Sequence, residues 1–158
     1  MLKADLRGTD IYSPLMSIIN EKPRKGYVRQ VFALTDGEVR NPANVIAICN
    51  ANRHIMRVFP FGIGDDVNRA FCNELAKSTS AEAHFINIKN ISDTVLKTLK
   101  SSYVSAVVNA QLHIEGVDSF EFAPQPIPSL FENNLAHVIV RYECTNNANA
   151  RFLLINGE

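Results

Sequence analysis

Residues 29–39, Arg-Gln-Val-Phe-Ala-Leu-Thr-Asp-Gly-Glu-Val, and residues 54–64, His-Ile-Met-Arg-Val-Phe-Pro-Phe-Gly-Ile-Gly, decide how this chain is read. Within them, residues 30–35 and 55–63 are apolar runs closed by turn residues, the pattern of strands covered on both faces. Between the runs, Asn41-Pro42 opens a segment with Val45, Ile46, Ile48 and Cys49 on its apolar side. That pattern predicts an N-capped helix started by proline. A strand, helix, strand unit with no room for a hairpin makes its strands parallel, and a right-handed crossover brings the loops after both strands to one edge of the sheet. Ligands of open parallel sheets bind beyond the carboxyl ends of the strands. The loops Thr35-Asp36-Gly37-Glu38 and Gly62-Ile63-Gly64-Asp65-Asp66 are therefore where chemistry is expected, with Asp36 placed to be a site residue.

Upstream, Gly8-Thr9-Asp10 forms a turn into Ile11, Leu15, Ile18 and Ile19, a helical spacing that ends near Asn20, with Pro14 tolerated in the first turn. Downstream, Asp65 or Asp66 is expected to cap a helix reaching about Lys77, with Val67, Ala70, Phe71 and Leu75 on one face. Residues 81–88 predict a third parallel strand. Residues 91–103 predict a further helix carrying Ile91, Val95, Leu96 and Leu99. Beyond Ser105 the runs VSAVVNAQLHIEGV, FEFAP, AHVIVRYEC and ARFLLING are separated by Gly, Pro and Asn clusters, the punctuation of antiparallel strands. Pro124, Pro126 and Pro128 make a stiff connector between them. The expected organisation is an α/β part over 1–103 and a β-rich part over 104–158.

Sixteen basic residues balance sixteen acidic ones without a long run of either sign, so no nucleic-acid surface or anionic-membrane patch is expected. No stretch reaches the roughly 18 apolar residues of a spanning helix, and residues 1–5 lead into no apolar signal segment. A cytoplasmic location is the expectation. Cys49, Cys72 and Cys144 match no zinc spacing and are read as reduced and mostly buried. His54, His84, His113 and His137 are scattered and form no i, i+4 pair. With no nucleophile beside a base, the chain is expected not to be an enzyme. Asn90-Ile91-Ser92 fits a glycosylation acceptor but follows no secretory signal. Gly62-Ile63-Gly64 falls between a strand and a helix as a dinucleotide loop would, but lacks the third glycine and the later acid.

Thr9 and Asp36 are the candidate metal ligands. A hydroxyl and a carboxylate at one sheet edge are hard oxygen donors, suited to Mg²⁺ and not to zinc. The alternatives at these positions are a helix cap for Thr9 and a turn-former for Asp36. Glu38 and Asp65, at the same edge, are expected to be solvated loop charges.

Three stretches carry a family resemblance: residues 8–15 (GTDIYSPL), 31–39 (VFALTDGEV) and 57–64 (RVFPFGIG). They resemble the second half of a von Willebrand factor type A domain, and look closest to the subgroup of inter-alpha-trypsin-inhibitor heavy chains and vault poly(ADP-ribose) polymerase. The resemblance covers residues 7–88. It implies a partial Rossmann-like sheet and a metal-ion-dependent adhesion site, in which Thr9 takes the role of the threonine and Asp36 that of the aspartate. The Asp-x-Ser-x-Ser loop of that site has no counterpart in this sequence. The resemblance places that loop on a strand beside residues 31–34, so a partial domain is expected, with an exposed sheet edge prone to self-association. The function implied is a protein-protein interaction module whose partner offers an acidic residue to a bound Mg²⁺, here held weakly or not at all. Two other classes remain open: a metal-independent scaffold segment of a larger protein, and a small α/β enzyme acting on a nucleotide or phosphate.

Overall fold

The computed structural model describes residues 10–36, 39–86, 91–108, 110–132, 135, 137–143 and, by backbone, 151–156. Helix α1 (Tyr12–Asn20) leads to strand β1 (Arg29–Thr35), helix α2 (Pro42–Ala51), strand β2 (Met56–Ile63), helix α3 (Arg69–Ser78), strand β3 (His84–Ile86) and helix α4 (Ile91–Ser102). The strands form one parallel sheet in the order β1-β2-β3. Short antiparallel strands follow: β4 (Ala106–Val107), β5 (Ala110–Glu115), β6 (Ser119–Ala123), β7 (Leu130–Phe131), β8 (Ile139–Glu143) and β9 (Arg151–Asn156). The α/β class and the β-rich sequel agree with the sequence reading.

The register aligns Val31 with Val58 and Phe32 with Phe59. One bond fixes which way each strand residue directs its backbone: Arg29 N–H donates to the Ile55 carbonyl at 2.9 Å. In a parallel ladder the N–H and C=O of a residue face the same neighbour and alternate along the strand. Arg29, Val31, Ala33 and Thr35 thus bond to β2, while Gln30, Phe32 and Leu34 direct their backbone groups away from it. On β2, Val58, Pro60 and Gly62 face the β3 side. This explains a proline inside a central strand, which would normally interrupt a ladder. Pro60 lacks an N–H only where β3, whose register starts at Phe61 opposite His84, has not yet begun. At Val58, where a donor does exist, the Thr79 hydroxyl accepts it at 2.9 Å in place of a strand.

Side chains divide the sheet into two faces. Val31, Ala33, Met56, Val58 and Phe85 pack with Leu15, Val45, Cys49, Phe71, Cys72 and Leu75 from α1, α2 and α3. On the other face, Phe59, Phe61 and Ile86 form a smaller cluster with Phe32 and Ala81. Phe32 stacks on Phe59 with centroids 5.4 Å apart.

Several expectations are corrected. Strand β2 is covered on both faces up to Gly62, but β1 is not, because Leu34 is 66% exposed. Asn41 precedes α2 in the left-handed region (φ 52°) and its side chain makes no cap, so its carbonyl alone receives Asn44 N–H and Val45 N–H. Neither Asp65 nor Asp66 caps α3. Asn68 does, its side-chain oxygen accepting Phe71 N–H at 3.0 Å, because Val67 must first turn inward under Gly62. Ala70 is exposed and the buried stripe is Phe71, Cys72, Leu75 and Ala76. The third strand is described only over residues 84–86. In α4, Ile91, Val95, Leu96 and Leu99 face outward and Thr98 is buried.

The β-rich half is a nested ladder. β5 pairs with β9 from Ala110 opposite Asn156 to Glu115 opposite Arg151, and β6 pairs with β8 inside it. The segment joining β6 to β8 docks on the α/β half. Ser129 donates its hydroxyl to the His54 carbonyl at 2.7 Å, and Phe131 lies 4.1 Å from the Arg57 guanidinium.

Candidate functional site

Strand β1 ends in buried Thr35, and Asp36 follows as an exposed residue. Strand β2 ends in Ile63, followed by exposed Gly64, Asp65 and Asp66. Because β1 and β2 are parallel, these two loops share one edge, as the sequence requires. Gly62 belongs to packing and not to a phosphate cradle. A Cβ there would meet Val67 Cγ2 at 2.7 Å and Phe85 Cδ1 at 2.9 Å. Gly64, at φ +96°, makes the turn out of the strand.

Thr9 and Glu38 lie outside the described residues. The residue after Thr9, Asp10, is described and is already engaged: Ser13 N–H donates to Oδ1 at 3.2 Å and the Ser13 hydroxyl to Oδ2 at 2.6 Å. These bonds hold the Asp10 carboxyl below its usual range, with Arg40 adding attraction. Among the described residues, no group of three or more His, Cys, Asp or Glu side chains gathers as a metal shell. Asp36 has the donor chemistry for Mg²⁺, but one exposed carboxylate is not a coordination shell.

The residue the sequence reading passed over is Arg57. It is 5% exposed, at the second position of β2. Its Nε and Nη2 donate to the Ser80 carbonyl at 2.9 and 2.6 Å, and Nη1 to the Ser101 carbonyl at 3.4 Å. The guanidinium lies between the rings of Phe59 and Phe131, 4.9 and 4.1 Å from their centroids. Burial lowers its pKa and Glu82 acts against that, yet arginine stays protonated. One charged side chain thereby joins the sheet, the end of α3, the end of α4 and β7. A charge inside a run as apolar as residues 55–63 was the signal, since a buried cation must find acceptors.

Arg57 also borders a cleft of about 670 Å³ with Lys77, Ser80, Glu82 and Leu135. Its charges are mixed. Cys49 and Cys72 are buried, and burial pushes the Cys49 thiol up to about 12, so the thiolate a nucleophile requires is suppressed. His54 and His84 are both shifted down by burial.

The third feature is the outer side of β1. Gln30, Phe32 and Leu34 direct their backbone groups to it, and among the described residues no strand pairs there. Gln30 Oε1 is buried without a hydrogen-bond partner.

A von Willebrand factor A domain-containing protein 5A from Homo sapiens is 34% identical over 113 residues, which are 71% of this chain and 14% of that protein. The Mus musculus protein 5A is 36% identical over 112 residues, 70% of this chain and 14% of its own length. The homologues of this chain are von Willebrand factor A domain-containing proteins. A Dictyostelium discoideum relative of that description extends the similarity to 135 residues, 82% of this chain and 6% of its own, at 31% identity. This chain thus spans about one seventh of the two protein 5A relatives. No family model matches the chain. The parallel sheet with flanking helices is the α/β arrangement of a partial von Willebrand factor A fold. Among the described residues, no helix is long and apolar enough to cross a membrane.

Proposed function

We propose that this chain is a non-enzymatic protein-protein interaction module, a portion of a von Willebrand factor A domain with an incomplete metal-ion-dependent adhesion site. The observation that carries the reading is the exposed Asp36 at the carboxyl end of β1, in a chain whose homologues are von Willebrand factor A domain-containing proteins. Within that family we place it with the subgroup of inter-alpha-trypsin-inhibitor heavy chains and vault poly(ADP-ribose) polymerase, on the resemblance of residues 8–15, 31–39 and 57–64. Residues 1–103 form the A-domain portion and 104–158 a β-rich addition, working in the cytoplasm. Thr9 and Asp36 supply only part of a Mg²⁺ shell, so metal binds weakly unless further oxygen ligands join them. The partner is a protein contacting this edge through an acidic residue, and the unpaired side of β1 adds self-association.

The test is a thermal melt in EDTA and in millimolar Mg²⁺, on wild type and Asp36→Ala. A ligand at about 100 times its dissociation constant stabilises by roughly 2.7 kcal/mol. A smaller rise is expected for wild type and none for the variant. Equal Mg²⁺ responses in both would remove Asp36 from the site.

One observation favours a second reading, a metal-independent scaffold segment. Arg57 ties the β-rich half to the sheet through Phe131 and the α4 carbonyl of Ser101. Partner capture that persists in EDTA would select it.

A further inference from the structure

The connection from α3 to β3 lies at the starting edge of the parallel strands, at the opposite end of the sheet from Asp36. We infer that this edge carries a docking groove for a short acidic peptide segment of a partner protein, with Ser80 at its centre. The groove is separate from the Asp36 edge and acts without metal.

Two cavities meet at Ser80. The cleft of about 670 Å³ beside Arg57 and Lys77 is adjoined by one of about 260 Å³ lined by Arg53, Ser129 and His137, and Ser80 and Leu135 belong to both. The walls are the entry to β2, the end of α3 and the segment that docks the β-rich half. The groove therefore runs where the two halves of the chain meet.

The backbone at Ser80 singles this place out. Helix α3 ends in a Schellman pair, in which Ala81 N–H donates to the Ala76 carbonyl at 2.9 Å and Ser80 N–H to the Lys77 carbonyl at 3.3 Å. The residue at this bend is left-handed, with φ 56° at Ser80, a conformation that glycine takes without steric opposition. Serine is the less stable choice here, and what it adds is a hydroxyl on the wall that both cavities share. Side chains kept on such backbone cluster at ligand sites.

Charge names the ligand. Among the described residues lining the two cavities, Arg53, Arg57 and Lys77 are cationic, His137 gains a proton in mild acid, and Glu82 is the one carboxylate. Arg57 directs its hydrogen bonds to neutral carbonyls, so its charge still acts on the groove from below. A carboxylate accepts strongly from ammonium and guanidinium groups and also from a hydroxyl. Lys77 from one cavity and Arg53 from the other supply the ionic donors, and Ser80 between them the neutral one. Leu135, 91% exposed at the rim, offers a contact to an apolar residue beside the acid.

The probe is a fluorescein-labelled hexapeptide of alternating Leu and Glu, with alternating Leu and Gln as its control. Binding to the full chain is followed by fluorescence anisotropy in EDTA, so that failure of the Mg²⁺ reading leaves this result unaffected. The Glu peptide is expected to bind with a dissociation constant of roughly 10 to 100 μM, and the Gln peptide at least about tenfold more weakly. Arg53→Gln and Lys77→Gln should each raise the constant about fivefold or more. Ser80→Gly is the decisive variant, because it keeps the carbonyl that holds Arg57. It should melt no lower than wild type while binding the Glu peptide at least about threefold more weakly. Should it fold poorly, Arg53→Gln and Lys77→Gln decide. No binding up to about 1 mM peptide, equal affinity for the two peptides, or wild-type affinity in the folded variants would overturn the inference.

Discussion

The two faces of the parallel sheet are built from neighbouring residues of the same strands, yet they are held in different ways. The face bearing Val31, Met56 and Val58 lies under three helices, and its core is mostly aliphatic around Phe71 and Phe85. The face bearing Phe32, Phe59 and Phe61 is aromatic and holds Arg57 at one end, while Leu34 stands open at the other. One face is closed by the helices that connect the strands. The other depends on partners remote in sequence, and closes only where one reaches it.

The strongest way to break this contrast is to cut a large side chain from each face. Phe71→Ala, at the helix-covered face, should cost about 3–5 kcal/mol. Phe32→Ala, half-buried on the aromatic face, should cost roughly 1–2 kcal/mol. Urea denaturation of both variants gives the order, and a reversed order would end the distinction. Arg57→Met sharpens it. Loss of the guanidinium leaves the Ser80 and Ser101 carbonyls without their donor, for about 2–3 kcal/mol. Limited proteolysis should then find the segment from Ser129 to Phe131 cut earlier than in wild type. Equal rates would mean that the β-rich half docks without Arg57. A smaller effect is expected from Thr79→Val, which strips the acceptor from buried Val58 N–H at a cost of about 1–2 kcal/mol.

The smallest effect is one of pH. His84 packs against Phe61 at 5.3 Å and its pKa is lowered from 6.5 by burial, so the fold favours the neutral ring. The unfolded chain takes up the proton first as pH falls. Stability is therefore full above the unfolded value of 6.5 and is lost as pH drops from there toward the folded value. His54 contributes in the same direction. Melting midpoints measured at about pH 7.5 and 5.5 should fall with acid, and His84→Phe should flatten that dependence. An unchanged slope in the variant would place the acid sensitivity elsewhere.

What the sequence made legible follows the same division. The alternation of strand and helix, and the parallel direction it forces, came from apolar runs and turn residues that act locally. The shared edge of the Asp36 and Asp65 loops followed from topology alone. The cap of α3 did not, because Asp65, Asp66 and Asn68 are all competent caps and only the inward turn of Val67 under Gly62 selects Asn68. Nor did the outward face of α4. Its spacing of Ile91, Val95 and Leu99 is that of a buried stripe, and the structure instead buries Thr98, whose hydroxyl bonds the Thr94 carbonyl at 2.8 Å. Arg57 went unread because its acceptors lie 23 and 44 residues away in sequence. For the candidate metal site, Asp36 was placed by the end of its strand, while Thr9 lies outside the described residues.

The nested ladder of the β-rich half sets an order of assembly. Pairing β5 with β9 directly would close a loop from Glu115 to Arg151, whereas pairing β6 with β8 closes only the segment from Ala123 to Ile139. Closure entropy grows with loop length, so the inner rungs zip first and the outer rungs add onto ends already brought together. The small loop that closes first holds Ser129 and Phe131, the residues that grip His54 and Arg57. By loop closure alone, the β-rich half is expected to form from its docked tip outward.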